Sequence, residues 1–253
     1  MAVKERKYKK PPVIEALCEI YFADSNWDDT ISGRFYDRIK EQFPDKRQRD
    51  VQQARVEFQP QGGVSAASIR RLPSWMQFIS PPRGRMIQVA QNLVVVNQLK
   101  PYTRFADWEP TIHLALKTYS ELARPRAIVR VGLRYINHIA VPGDRIRMED
   151  YFRIYPKLPD PIGDTHGAFL VRAEAPSVVE GHQILITFGT APAEPGRLAF
   201  LLDLYDIFQP DQPGAGFEDF PRVVAQAHQS VVAAFEGSLT DRLRKLLDEE
   251  EPS

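Results

Sequence analysis

The sequence predicts an α+β protein made of two similar halves, with mainly antiparallel sheet and a long C-terminal helix. Three observations carry this. Apolar residues alternate with polar ones in runs separated by Pro- and Gly-marked turns, which is the period-two pattern of strands joined as hairpins. Stretches of helical period follow the hairpins, and helices placed there cover one face of the sheet. The resulting order, β-α-β-β-β-α, occurs twice.

Residues 1–12 carry Lys4, Arg6, Lys7, Lys9 and Lys10 before Pro11 and Pro12 stiffen the chain, and read as a solvated basic arm. The first half spans residues 13–125. Its opening strand, Val13 to Phe22, puts Ile14, Ala16, Cys18, Ile20 and Phe22 on one parity and Glu15, Leu17, Glu19 and Tyr21 on the other, so one face is wholly apolar. Asp24, Ser25 and Asn26 supply turn chemistry. Trp27, Ile31, Phe35, Ile39 and Phe43 then recur at helical spacing, giving a helix from about Asp28 to Phe43 that Pro44 closes.

Short strands are expected at Arg55 to Phe58 and Val64 to Ile69, around a loop at Gly62 and Gly63. Trp75 to Ser80 and Met86 to Leu99 form a hairpin across Pro81, Pro82, Arg83 and Gly84. A helix from about Asp107 to Ala123 follows, with Trp108, Ile112, Leu116, Tyr119 and Leu122 on one stripe.

The second half spans residues 126–253. It has a strand from Ala127 to Val141, a short helix at Met148 to Tyr155 and a strand at Ala168 to Ala175. A second hairpin pairs Gln183 to Thr190 with Leu198 to Phe208 across Pro192 to Gly196. A long helix runs from about Asp219 to Glu249, its end carrying Leu239, Leu243, Leu246 and Leu247. Projected from the body, that stripe is a contact for a partner or a second copy; packed inward, it caps the core.

The halves match in detail. Gly84-Arg85 followed by Phe105, Asp107 and Trp108 is repeated as Gly196-Arg197 followed by Phe217, Asp219 and Phe220, with Val89, Val95 and Val96 corresponding to Leu201, Ile207 and Phe208. Asp107 and Asp219 fall where a helix start gains from an acid. Between the leading strands, Glu15 and Glu19 match Arg130 and Arg134. If those strands lie side by side, acids face arginines; otherwise both are solvated strand faces.

The 253 residues include 33 basic and 33 acidic side chains, one cysteine and 43% hydrophobic residues. That composition excludes a disulfide scaffold and a uniformly basic nucleic-acid surface. No apolar run approaches a bilayer's thickness, so no membrane contact is expected and the chain reads as cytoplasmic. Cys18, on the apolar face, is expected to be buried and inert. His113, His138, His166, His182 and His228 show no metal-ligand spacing, and neither Gly62-Gly63 nor Pro213 to Gly216 has a phosphate-loop lysine. No catalytic residue, metal or cofactor is therefore nominated.

Three readings of function stand. The first is a non-enzymatic protein-binding or assembly component, with a protein partner or a homodimer contact on the C-terminal helix. The second is a nucleic-acid binder using the arm and first hairpin, through Lys7, Lys9, Lys10, Arg83, Arg85, Tyr102 and Arg104. The third is an enzyme whose site lies between the halves.

PPVIEALCEIYF (Pro11 to Phe22), VGLRYIN (Val131 to Asn137) and the C-terminal helix from near Phe217 through Phe235 resemble a sporadically distributed family of uncharacterised bacterial and archaeal proteins. The resemblance brings no activity with it. The patchy distribution implies horizontally moved genes, of the mobile-element, toxin-antitoxin or phage-defence kind, and hence a bacterial defence or regulatory system. Its segments coincide with the two matching strands, which makes Glu15, Glu19, Arg130, Arg134, Tyr135 and Asn137 the candidates for a partner or ligand site.

Overall fold

Both leading strands end up at the middle of one sheet. The computed structural model describes residues 6–58, 64–162, 167–210 and 217–248, without the side chains of residues 50–58, 64–74 and 83. In it the Val13–Ala23 strand (β1) pairs antiparallel with Ala127–Pro142 (β6), Cys18 lying opposite Leu133. Asp45–Phe58 (β2), Val64–Ser80 (β3), Arg85–Ala90 (β4) and Leu93–Leu99 (β5) extend the sheet on one side. Leu170–Pro176 (β7), His182–Ala191 (β8) and Arg197–Phe208 (β9) extend it on the other, giving the order β2-β3-β4-β5-β1-β6-β9-β8-β7. All pairs are antiparallel.

Helices Ile31–Ile39 (α1), Phe105–Ala123 (α2), Phe220–Ser238 (α3) and Asp241–Leu246 (α4) pack through one core that takes the apolar parity of every central strand. Cys18, Ile20, Val94, Val96, Leu133, Leu202 and Leu204 have no exposed surface there, and Trp108, Ile112, Ala227 and Leu243 meet them from the helices. Burial pushes the Cys18 thiol far above its usual range. The other face of the sheet carries a smaller cluster around Leu17, Ala90, Leu93 and Val95 and, beside it, most of the polar strand residues.

Several expectations are corrected. Met86 to Leu99 is two strands, because Asn92 takes a left-handed conformation (φ 60°) and turns the chain. The segment aligned with it, Arg197–Phe208, is a single strand, so Val89, Val95 and Val96 are not spatial counterparts of Leu201, Ile207 and Phe208. The short strands expected at 55–58 and 64–69 belong to a much longer hairpin, β2 with β3. The helix expected over 28–43 shortens to α1, and that over 148–155 to a 3-10 turn at Met148–Asp150.

The long C-terminal helix breaks at Leu239, which leaves helical geometry and bridges to Phe152; Thr240 then caps α4 by accepting from the Leu243 N–H at 3.3 Å. Leu239 and Leu243 have no exposed surface and Leu247 only 7%. Leu239, Leu243 and Leu247 therefore cap the core, and Leu246 is half-buried against it. The described part of the basic arm, residues 6–12, is not free either. Lys9 and Lys10 donate main-chain bonds to Asp248 and Leu247 (3.0 and 3.2 Å), and both ammonium groups lie near the Asp248 carboxylate. Among the described residues, no helix is long and apolar enough to cross a membrane.

Candidate functional site

Because side chains alternate along a strand, the candidates on β1 and β6 separate onto the two faces of the sheet. Glu15, Glu19, Arg130 and Arg134 lie on the face without helices; Tyr135 and Asn137 face the helices.

On the open face, Glu19 and Arg130 come together, with Arg130 Nη2 3.7 Å from Glu19 Oε2. The link is completed by Tyr205 of β9, which donates to Glu19 Oε2 at 2.5 Å and accepts from Arg130 Nη2 at 2.8 Å. Burial and the adjacent Glu19 carboxylate push the Tyr205 hydroxyl far above its ordinary range. Tyr205 reaches β1 by crossing β6 at Gly132: a Cβ there would come within 2.5 Å of the ring. The Arg130 guanidinium also sits 4.2 Å from the centre of the Tyr21 ring.

Arg134 does not meet Glu15. It forms a two-pronged pair with Asp203 of β9 at 2.8 and 2.5 Å, and those bonds hold its pKa above the usual value. Glu15 instead ends a row of side-chain bonds crossing five strands: Arg47 Nε to Gln77 (2.7 Å), Gln77 to Gln88 (2.7 Å), Gln88 to Asn97 (2.9 Å) and Asn97 to Glu15 (2.7 Å). The three amides are buried, which is tolerable because each is bonded on both sides. These groups occupy one another, and none of them lines the cavity on the other face.

On the helix side lies a cavity of about 550 Å³ between the start of α2, the middle of α3 and the arm. Tyr135 and Asn137 form its floor. Tyr102 stands beside Tyr135, the hydroxyls 3.2 Å apart and the rings edge to face. Phe105 stacks on His228 with centroids 4.1 Å apart, so that ring forms an aromatic wall. Burial holds the His228 imidazole down to about 4, leaving it uncharged at neutral pH. Asn137 donates from Nδ2 to the Leu202 carbonyl at 3.0 Å, and among the described residues no hydrogen bond reaches its Oδ1.

The roof is Arg6 to Val13. It is held by Glu236, whose carboxylate accepts from Tyr8 at 2.8 Å and from the buried Arg244 at 3.0 Å and lies 3.5 Å from Arg6. Positive charge lines the mouth as Arg6, Lys7 and Arg104. Arg104 opens α2, its backbone N–H donating to Asp107 at 3.2 Å, so Asp107 serves as the first-turn acid foreseen.

Of the residues expected to contact nucleic acid, Lys9 and Lys10 lie near the Asp248 carboxylate, and Lys7, Tyr102 and Arg104 line the cavity. Arg85 is a structural tie, donating to Gln98 (3.0 Å), Thr111 (3.3 Å) and the Asp107 carbonyl (2.6 Å) to hold β4 against α2. The Arg83 side chain, the Gly62-Gly63 loop, Pro213 to Gly216 and His166 lie outside the described residues. Away from the cavity, His182 and Asp206 form a fully buried pair at 2.7 Å.

Tyr205, Asp203, His228 and Glu236 were not nominated from sequence. In LLDLYDIF, Asp203 and Tyr205 share a parity, a signal of a polar stripe on one sheet face; a glycine inside a strand, Gly132, signals close approach of another group. No protein-family model matches the chain, and no curated protein matches it.

Proposed function

We propose that the protein is a non-catalytic binding component that takes a flat-ringed organic anion beneath its N-terminal segment and reports occupancy to a protein partner through that segment. One observation carries the reading: the cavity has aromatic walls (Phe105 with His228, Tyr102 with Tyr135), an unmatched acceptor at Asn137 Oδ1 and a basic mouth, and its roof is a chain segment tied to α3 through Glu236 and to the end of α4 through Leu247 and Asp248. Aromatic walls take a planar ring, an acceptor takes a ring N–H or O–H, and cations at the mouth retain a negative group. His228 is neutral, so it contributes packing rather than charge.

The test uses 1-anilinonaphthalene-8-sulfonate, an aromatic anion, as the probe. Saturable one-site binding is expected. Val232→Trp, which fills the cavity from a half-buried position, should weaken it at least tenfold, and Arg104→Glu several-fold. Absence of one-site binding, or affinity unchanged in both variants, removes the reading.

We infer also that the two halves descend from a duplication. In support, β5, β4 and β3 extend from β1 in the same order as β9, β8 and β7 extend from β6. One chain spacing separates Glu15 from Arg130, Glu19 from Arg134, and the first residues of α2 and α3, Phe105 and Phe220. On that spacing the Cys18–Leu133 pair is its own counterpart and marks the pseudo-twofold.

A further inference from the structure

Beyond the cavity, the two ends of the sheet differ in a way that bears on assembly. At one end β2, DKRQRDVQQARVEF, mixes four basic with three acidic residues along a long strand. At the other end β7, LVRAEAP, carries one arginine and one glutamate, two residues apart.

The orientation of its main chain follows from two bonds. The Phe169 carbonyl accepts from Thr190 N–H, and Ser177 N–H donates to the His182 carbonyl. Odd-numbered residues of the strand therefore turn their peptide groups towards β8, and by alternation Leu170, Arg172, Glu174 and Pro176 turn theirs outward. Among the described residues, no strand pairs with that outer edge.

The surroundings are open as well. Of the seven residues only Val171 is half-buried; Ala173 and Ala175, on the helix side, are exposed, so the helix layer stops short of this strand. Leu170 and Val178 are 74% and 73% exposed at its two ends. Small side chains on one face and no overhanging helix leave room for another sheet to approach.

We propose that β7 is a self-pairing edge, through which two copies of this chain join antiparallel about a twofold axis at Ala173 and run their sheets together. In that register Arg172 of each copy lies opposite Glu174 of the other. Those two residues are also the ones whose N–H and C=O groups face outward, so the main-chain exchange and the charge match fall at the same positions. Leu170 of one copy meets Pro176 of the other; the proline lacks an N–H but its carbonyl accepts from Leu170 N–H, and it ends the pairing there. In the single chain Arg172 and Glu174 face each other at 3.4 Å with both side chains well exposed, a weak contact that is readily exchanged for cross-strand ones.

A single-strand contact is a small interface, so dissociation on the order of micromolar is expected. Sedimentation velocity between about 1 and 100 μM should show the dimer growing with concentration. Arg172→Glu and Glu174→Arg, singly, should weaken it by about tenfold or more, and the double variant carrying both should recover most of the loss, because the swap restores the match. Hydrogen exchange gives a second readout on the unaltered chain: the amides of Arg172 and Glu174 should gain protection as concentration rises. A chain that is monomeric at 100 μM, a dimer indifferent to the single reversals, or a double variant no better than the singles overturns the proposal.

Discussion

Gly132 is the residue on which the open-face cluster turns. Tyr205 passes over β6 only because nothing projects there, and its hydroxyl then joins Glu19 to Arg130. Gly132→Ala should therefore destabilise the protein by about 1–3 kcal/mol, the usual cost of forcing an extra methyl into a filled space. In a Tyr205→Ala background the same change should be nearly neutral, within about 0.5 kcal/mol; urea denaturation of the four proteins closes that cycle. That acids of one leading strand could face arginines of the other was legible in the sequence, since both sets lie on the polar parity of matching strands; that Glu19 is the acid beside Arg130 was not. The partners of Glu15 and Arg134 were not, because each bonds outward to a strand, β5 or β9, whose register with β1 or β6 is set by the whole sheet.

At the scale of elements, α3 and the arm are linked through Glu236 and the cavity. His228 projects from α3 against Phe105, and its depressed pKa makes a signed prediction. An unfolded chain protonates this histidine below about pH 6.5, whereas the folded one resists until about pH 4. Its contribution is thus fully present at neutral pH, falls away as pH drops between those values, and changes no further below about 4. Replacement His228→Phe, which keeps the stacking on Phe105, should remove about 2 kcal/mol of acid-side destabilisation, read as the difference between the two proteins in urea titrations at pH 7 and pH 4.5.

The break between α3 and α4 was readable in outline: Thr240 followed by Asp241 is a helix-start signal, obscured by leucines that keep helical spacing through it. The β4–β5 turn was obscured in the same manner. The Val94 to Val96 run continues the apolar pattern, while the residue that turns the chain is Asn92, whose side chain accepts from Ser25 N–H at 3.0 Å and whose own N–H donates to Tyr119 at 2.9 Å. Those partners are distant in sequence, so local pattern could not supply them.

Across the whole molecule, the α+β class was visible in the alternation of PPVIEALCEIYF and AIVRVGLRYINHIAV, since an apolar face requires a covered strand, whereas their pairing at the middle of one sheet was one of two readings left open. The length of the β2–β3 hairpin was not visible, because its polar sequence carries little alternation. Cys18 lies midway along that central strand pair with no exposed surface. A thiol reagent such as 5,5′-dithiobis(2-nitrobenzoate) should leave it unmodified under native conditions, and its reaction in urea should track global unfolding rather than precede it; early reaction would show that β1 opens on its own.

Arg47 offers only donors and Glu15 only acceptors, so each amide between them must accept on the arginine side and donate on the glutamate side. The row is therefore polar in the electrical sense, with dipoles aligned from a cation at one end to an anion at the other, and reversing it would require Gln77, Gln88 and Asn97 to turn over together. Its direction is set by the terminal charges, and a change at Glu15 would be felt as lost orientational order several strands away.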